Sequence, residues 1–287
     1  MQMIGAISPS GVTAPDVAPT AATENFPVAL RVLPARHRHA LLAVYDVARH
    51  IDQLGDAAQG DRVAALRAFR ADLETLRTGG RPTNRVLVDL APYAREFALP
   101  LDSFDDLIEA NLLDQRVRRY ADFTALLDYC ALSAHPIGRL VLAVFGQSTP
   151  QRIAWSDSVC AALQVLEHCQ DVVEDHLAGR VYLPQDQLYA AGLTDATMLL
   201  PNDAAALRRV VLDQVTTCRE MLSPGRQLVG ELHGWGRLAV AGCVAGGLAT
   251  ADALERAGGD VTLGEQLRPR RIRLLRHGIR LLLTRGR

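Results

Sequence analysis

Leucine, valine and alanine recur three and four positions apart along nearly the whole chain, and no β-branched run alternates apolar with polar residues. That period belongs to amphipathic helices, so the pattern predicts an all-α chain. A first helix runs from about Pro34 to Asp56, with Leu41, Leu42, Tyr45, Ala48 and Ile51 or Gln53 on related faces. Asp61 is placed to cap a second, "DRVAALRAFRADLETLR", which ends before Gly79-Gly80. A third starts near Thr83 and is interrupted at Pro92, and a fourth begins at Asp102 or Ser103. Residues 122–146 read as a fifth helix bent at Pro136, and Pro150 opens a long one that reaches about Leu177. After the loop "AGRVYLPQDQL", helices are expected near 202–222, 225–256 and 268–284. No internal repeat is visible. The expected architecture is a single-domain helical bundle over residues 24–267 with a central cavity, between a disordered tail (1–23) and a basic amphipathic helix (268–287).

Composition narrows the picture. Hydrophobic residues make up 49% of 287, enough for a sizeable core, and the net charge of −1 gives no reason to expect a nucleic-acid partner. The five cysteines are scattered without metal-binding spacing, which predicts reduced thiols in a cytoplasmic protein. The first 23 residues carry no cation, unlike a signal peptide. The uncharged run "LAVAGCVAGGLATA" (238–251) reads as too short and too glycine-rich to span a membrane. Its small residues serve either close helix packing or room for a long chain.

The chemistry concentrates in a few carboxylates. Asp171, Glu174 and Asp175 fall within five residues, and Arg180 and Tyr182 follow just past Gly179. Asp171 and Asp175 are four apart, so on a helix they share one face about 5–6 Å apart at Cβ. Such a pair repels unless a cation sits between; Mg²⁺ suits it, taking a few carboxylates and completing its shell with water and phosphate oxygens. Asp52 and Asp56 repeat the spacing at the end of the first long helix. A third pair, Asp102 and Asp106, lies at a helix start, where carboxylates cap N–H groups and meet the positive end of the dipole, and reads as structural. The other two pairs lie late in their helices, where the dipole disfavours anions. A metal or a solvated acidic face would each answer that cost, and the residues alone leave both open.

The surrounding stretches "YDVARHIDQLGD" and "LQVLEHCQDVVEDHLAGRVYLP" together resemble the squalene/phytoene synthase family of head-to-head isoprenoid synthases. The family pattern is a Tyr and an Arg upstream of one Asp-rich motif, then a second followed by Gly-Arg-x-Tyr-Leu-Pro. "ENFPVA" (24–29) and "YCALSAHPIGRLVLAVFG" (129–146) are similar to the hydroxysqualene synthase branch of bacterial hopanoid biosynthesis. The resemblance implies an isoprenoid-synthase fold with a central substrate cavity. It also implies Mg²⁺-assisted loss of diphosphate from presqualene diphosphate, with water capturing the cation to give hydroxysqualene. No NADPH is expected, and neither a GxGxxG nor a basic 2′-phosphate pocket is seen. In this frame Asp52, Asp56, Asp171 and Asp175 hold Mg²⁺. Arg49 and Arg180 clamp phosphate oxygens, unless they only pair with nearby aspartates. Tyr45 and Tyr182 hydrogen-bond phosphate or present a π face to the cation. Pro136 either opens a carbonyl toward the pocket or only kinks a packed helix. His168 and His176 read as incidental.

Three positions depart from the family pattern: Gln53 where a second adjacent Asp is usual, Glu167 in place of Asn, and His135 in a Ser-Ala-Asn-Pro stretch. Gln53 removes a metal ligand. Glu167, four residues before Asp171, is a candidate replacement. The alternatives are a presqualene diphosphate or phytoene synthase acting on prenyl diphosphates, or a non-catalytic member binding an isoprenoid or partner enzyme. Other hopanoid-pathway enzymes are natural partners. From Arg268 to Arg287 eight arginines interleave with Leu and Ile and no acidic residue intervenes. That pattern suits a peripheral helix on the inner membrane face, or an exposed basic face of the bundle.

Overall fold

The computed structural model describes residues 32–56 and 58–283. The expected tail (1–23), the "ENFPVA" motif and residues 284–287 lie outside them. The described residues contain helices and no β-strand. The helices are α1 (Ala35–Asp56), α2 (Arg62–Arg77), α3 (Arg85–Glu96), α4 (Asp102–Asp114), α5 (Phe123–Ser133), α6 (His135–Val144) and α7 (Pro150–Gln170). They continue with α8 (Val172–Leu177), α9 (Gln185–Ala190), α10 (Ala204–Leu222), α11 (Gly225–Glu231), α12 (Gly234–Arg256) and α13 (Arg271–Leu283). Short 3₁₀ turns at Pro201–Asp203 and Val261–Leu267 precede α10 and α13.

Two helices organise the bundle. α1 packs against α2, α3, α4 and α6, while α7 packs against α5, α6, α10, α11 and α12. Val47 and Ile51 on α1 and Ala162, Val165 and Leu166 on α7 are almost fully buried, as their 3–4 spacing requires. Each central helix carries one Asp motif at its C-terminal end, so packing the core also sets the two motifs.

Local chemistry explains where the boundaries differ from the periodicity. Asp61 caps α2 as expected, accepting a bond from the Ala64 N–H at 2.9 Å. The stretch 122–146 is two helices, because Ala134 takes φ −114° and Pro136 occupies the first turn of α6, where its missing N–H costs nothing. Pro92, by contrast, lies inside an unbroken α3, which starts at Arg85 behind an Asn84 cap and is held by buried Leu87, Leu90 and Ala94. The long helix expected from Pro150 to Leu177 breaks at Asp171, and the one expected over 225–256 breaks at Leu232 and His233. Asp102 makes no cap at the start of α4; it pairs with Arg77 at 3.2 Å, and Asp106 approaches Arg139 at 3.9 Å.

Helix α12 is 23 residues long and apolar enough to cross a membrane by length and composition, contrary to the expectation from its run of small residues. Most of that apolar window is buried inside the protein. Its glycines divide by face. A Cβ on Gly247 would come within 2.6 Å of Leu163 Cδ2 and 3.1 Å of Leu222 Cδ2, so this face is closely packed. Gly246 is buried, yet a Cβ there, or on Gly242 one turn earlier, would meet no atom within 4 Å. Gly246→Ala should therefore stabilise the protein by up to about 1 kcal/mol through helix propensity. Gly247→Ala should destabilise it by about 1 kcal/mol or more through overpacking. Urea melts of the two variants check this, and shifts of the same sign would refute the division of faces.

Candidate active site

The end of α1 is held by an unusually close approach of α4. A Cβ on Gly55 would lie 2.0 Å from Asn111 Oδ1, so only glycine fits there without a shift. Asn111 Nδ2 then donates to Asp52 Oδ1 at 3.2 Å, and Gln115 Nε2 donates to the Gly55 carbonyl at 3.0 Å. Tyr45 is half-buried on the same helix, while Arg49, Asp52, Gln53 and Asp56 are exposed.

The second motif is a bend instead of a continuous helix face. Asp171 has φ −100° and ψ 12°, between α7 and α8. Backbone bonds bridge the bend: Asp171 N–H to the Glu167 carbonyl at 3.0 Å, and Asp175 N–H to the Asp171 carbonyl at 2.8 Å. The two carboxylates stay neighbours, and Asp171's is held above its usual pKa by burial and then by Asp175 and Glu174. Glu167 is exposed on the last turn of α7.

Gly179 then turns the chain with a φ of 78°, where a side chain would be strained. The returning segment runs beside residues 118–121: Val181 N–H bonds the Arg118 carbonyl at 3.0 Å and Gln185 N–H the Tyr120 carbonyl at 2.9 Å. Arg119 Nη1 holds the Gly179 carbonyl at 2.8 Å. This path carries Arg180 to the first motif, where its Nη2 donates to Asp56 Oδ1 at 2.7 Å across 124 residues of sequence. The ion pair is a direct link between the motifs, and it answers the open question about Arg180: it does pair with an aspartate, and that aspartate belongs to the other motif.

Behind the pair lies a group the periodicity did not reveal. Tyr182 stacks on His168, with ring centroids 3.7 Å apart and planes 8° apart, and His168 Nδ1 lies 3.8 Å from Asp175 Oδ2. His168, expected to be incidental, is thus part of the site. Tyr120 and Tyr129 pack on Tyr182 at 5.7 and 5.6 Å. Asp114, at the end of α4, accepts from the Tyr129 hydroxyl at 2.8 Å and from the Tyr182 hydroxyl at 3.4 Å. Burial raises its pKa to about 6, against the opposing pull of the Tyr129 bond and of Arg180. The Tyr120 hydroxyl is buried without a partner among the described residues.

The donors in both Asp motifs are hard oxygens, and the Asp171 carboxyl, held above its usual pKa by burial and then by Asp175 and Glu174, is in a setting that a dication relieves. Among the described residues no three His, Cys, Asp or Glu side chains are already drawn around one point. The residues still fit Mg²⁺, which is commonly held by one or two carboxylates with water and phosphate oxygens filling the rest of its shell. A cavity of about 260 Å³ lies elsewhere, lined by residues such as Gly80, Pro82, Val88 and Arg95, none of them in the motifs.

Residues 20–277 match the family model described as squalene/phytoene synthase. The chain belongs to the squalene/phytoene synthase family. It is 35% identical over 210 residues to the hydroxysqualene synthase of Rhodopseudomonas palustris, covering 73% of this chain and 71% of that one. It is 32% identical over 216 residues to the phytoene synthase of Mycobacterium bovis, covering 74% and 70%. The crystal structure of squalene synthase HpnC from Alicyclobacillus acidocaldarius superimposes with a TM-score of 0.76 at 34% identity, over 83% of this chain and 90% of that one. As a squalene/phytoene synthase, the chain is an isoprenoid synthase with the expected helical fold. Of the three departures from the family pattern, Gln53 and Glu167 are exposed, and His135 is half-buried at the start of α6. His135 Nδ1 lies 3.7 Å from Asp157 Oδ2, and the same carboxylate binds Arg139 at 2.7 Å. Burial outweighs Asp157 and keeps the His135 pKa below its ordinary value.

Proposed function

We propose that this synthase removes diphosphate from presqualene diphosphate and that water captures the resulting cation to give hydroxysqualene. The observation that carries the reading is the Arg180–Asp56 bond, which sets the two acidic motifs against one another beside a wall of tyrosines. Supporting it are the hydroxysqualene synthase likeness and the buried room beside Gly246, which suits a hydrocarbon chain. Asp52, Asp56, Asp171 and Asp175 would hold Mg²⁺, with Glu167 as a further ligand. The ion would neutralise charge developing on the diphosphate as the C–O bond breaks. Arg180 and Arg49 bind and orient phosphate oxygens through their planar guanidinium forks. Tyr45 would hydrogen-bond the phosphate, while Tyr182, whose hydroxyl is already given to Asp114, joins Tyr120 and Tyr129 in an aromatic wall that screens the cation from bulk water. Reaction of the cation with water needs no reductant, so no NADPH enters. The proton that the water gives up passes to the departing diphosphate or solvent.

A second reading, condensation of prenyl diphosphates, draws on the phytoene synthase likeness at nearly equal identity. Purified protein incubated with presqualene diphosphate and, separately, with farnesyl or geranylgeranyl diphosphate, with and without Mg²⁺, separates the two. Hydroxysqualene from the first substrate alone is expected. Presqualene diphosphate or phytoene from the others would replace this reading with condensation, and no product from any would point to a binding role.

Glu167 gives a narrower check. If its carboxylate shares the ion one turn from Asp171, Glu167→Asn raises the half-saturating Mg²⁺ concentration about tenfold. Adding Gln53→Asp should then restore part of the loss. An unchanged or lower Mg²⁺ requirement in Glu167→Asn would show that Glu167 is only a like charge near Asp171.

A further inference from the structure

Helix α13 has two separate faces. Its inner face is docked on α12: Leu281 is buried, Gly278 lies 3.9 Å from the Ala245 Cβ, and His277 Nε2 lies 3.0 Å from Asp252 Oδ2. Arg273 Nη1 reaches the same carboxylate at 3.7 Å, and Arg237 Nη2 holds the Leu282 carbonyl at 2.9 Å. The outer face is apolar and exposed. Ile272, Leu275, Ile279 and Leu283 have relative exposures of 69, 56, 48 and 77%. At 100° per residue they project within about 80° of one another, away from α12. Arg271 borders this stripe on one side and Arg276 and Arg280 on the other, all exposed. Trp235, 42% exposed, stands near Arg237 at the end of the helix pair where Leu283 lies.

We infer that this face of α13 is a docking surface for an anionic lipid bilayer. An isoleucine–leucine stripe left in water between rows of arginine needs an apolar layer beneath an anionic one, which a bilayer with acidic headgroups provides. Charge complementarity picks the occupant: eight of the chain's 31 basic residues fall between Arg268 and Arg287, with no acidic residue, in a protein whose net charge is −1. The inner face is independently fastened through Asp252, so the helix is held with its stripe outward before any membrane arrives. Docking is peripheral, since α12, the helix long enough to span, is mostly buried in the bundle. The inference does not depend on which isoprenoid diphosphate the protein uses.

The test is sedimentation of the full chain with vesicles of phosphatidylcholine alone and vesicles that also contain phosphatidylglycerol. Binding to the anionic vesicles is expected to be at least about tenfold stronger, and to weaken with added salt. Ile272→Gln with Leu275→Gln should lower it more than about tenfold, and Arg271→Gln with Arg276→Gln about tenfold or more. Circular dichroism melts confirm that each variant folds, and if one pair fails to fold the other carries the test. No binding to anionic vesicles, or binding unchanged in the folded variants, would overturn the proposal. So would size-exclusion chromatography showing a dimer that the Ile272→Gln, Leu275→Gln pair dissociates, since a second copy would then cover the face.

Discussion

Asp171→Asn is expected to lower turnover at least about 100-fold while leaving the fold as stable as the parent or more so. The loss follows from removing a hard anionic ligand where diphosphate charge must be neutralised. The stability effect follows from the bend between α7 and α8. There the Asp171 carboxyl sits above its ordinary pKa because of burial, Asp175 and Glu174. A carboxyl that holds its proton more tightly in the folded state than in the unfolded one subtracts stability as pH rises through that range. Asparagine carries no such cost. In metal-free buffer the variant should melt level with or above the parent at neutral pH, and the two should converge once the carboxyl is protonated in both states. Asp175→Asn should behave alike in turnover. Near-normal rates in both variants would remove the metal assignment.

Asp114→Asn should lower kcat/KM by about 10- to 100-fold and also change how stability depends on pH. Its carboxylate accepts from two tyrosine hydroxyls and lies close to Arg180, whereas an amide offers one acceptor oxygen and no charge. One tyrosine of the wall loses its anchor, and Arg180 loses one of the charges that hold it in place. The pKa of Asp114 stands at about 6, against an ordinary 3.8, so the folded protein keeps a proton the unfolded chain releases. Wild-type stability should therefore fall as pH rises from about 4 to 6, and stay lost above that. At about 1.4 kcal/mol per pKa unit, the Asp114 carboxylate costs roughly 3 kcal/mol at neutral pH. The variant should be the more stable protein at pH 7 and lose its advantage near pH 4. Urea melts across that range check it, and a difference that does not vary with pH would rule out burial as the source.

Much of this was legible beforehand. The helical period placed the long helices, because burial of Leu, Val and Ala at 3–4 spacing is what builds the bundle; it missed the short α9, which begins inside the stretch 178–188 expected to be a loop. The bend near Pro136 was legible from the proline itself, but the breaks at Asp171 and Leu232 were not, since apolar spacing continues through them and only backbone dihedrals record the turn. The Asp motifs, Arg180 and Tyr182 stood out through their crowding and family context. Asp114, Asn111 and His168 did not: each is one polar residue on an otherwise ordinary helix, and its role comes from a partner far away in sequence. Gly55 carried a signal that could have been used, since a glycine inside a helix between two motif aspartates costs about 1 kcal/mol and calls for a close neighbour. That neighbour is Asn111.

The bond from Arg180 to Asp56 joins chain positions 124 residues apart. The paired site needs both motifs in one folded chain, with both central helices docked, so a fragment that contains only one of them cannot assemble it. Anything that bridges the motifs therefore acts as a strap across the whole fold and cannot merely steady a loop. A diphosphate with Mg²⁺ at 100 times its dissociation constant should add about 2.7 kcal/mol to global unfolding. Amides deep in α1 and α7 should then exchange more slowly together, as one cooperative unit.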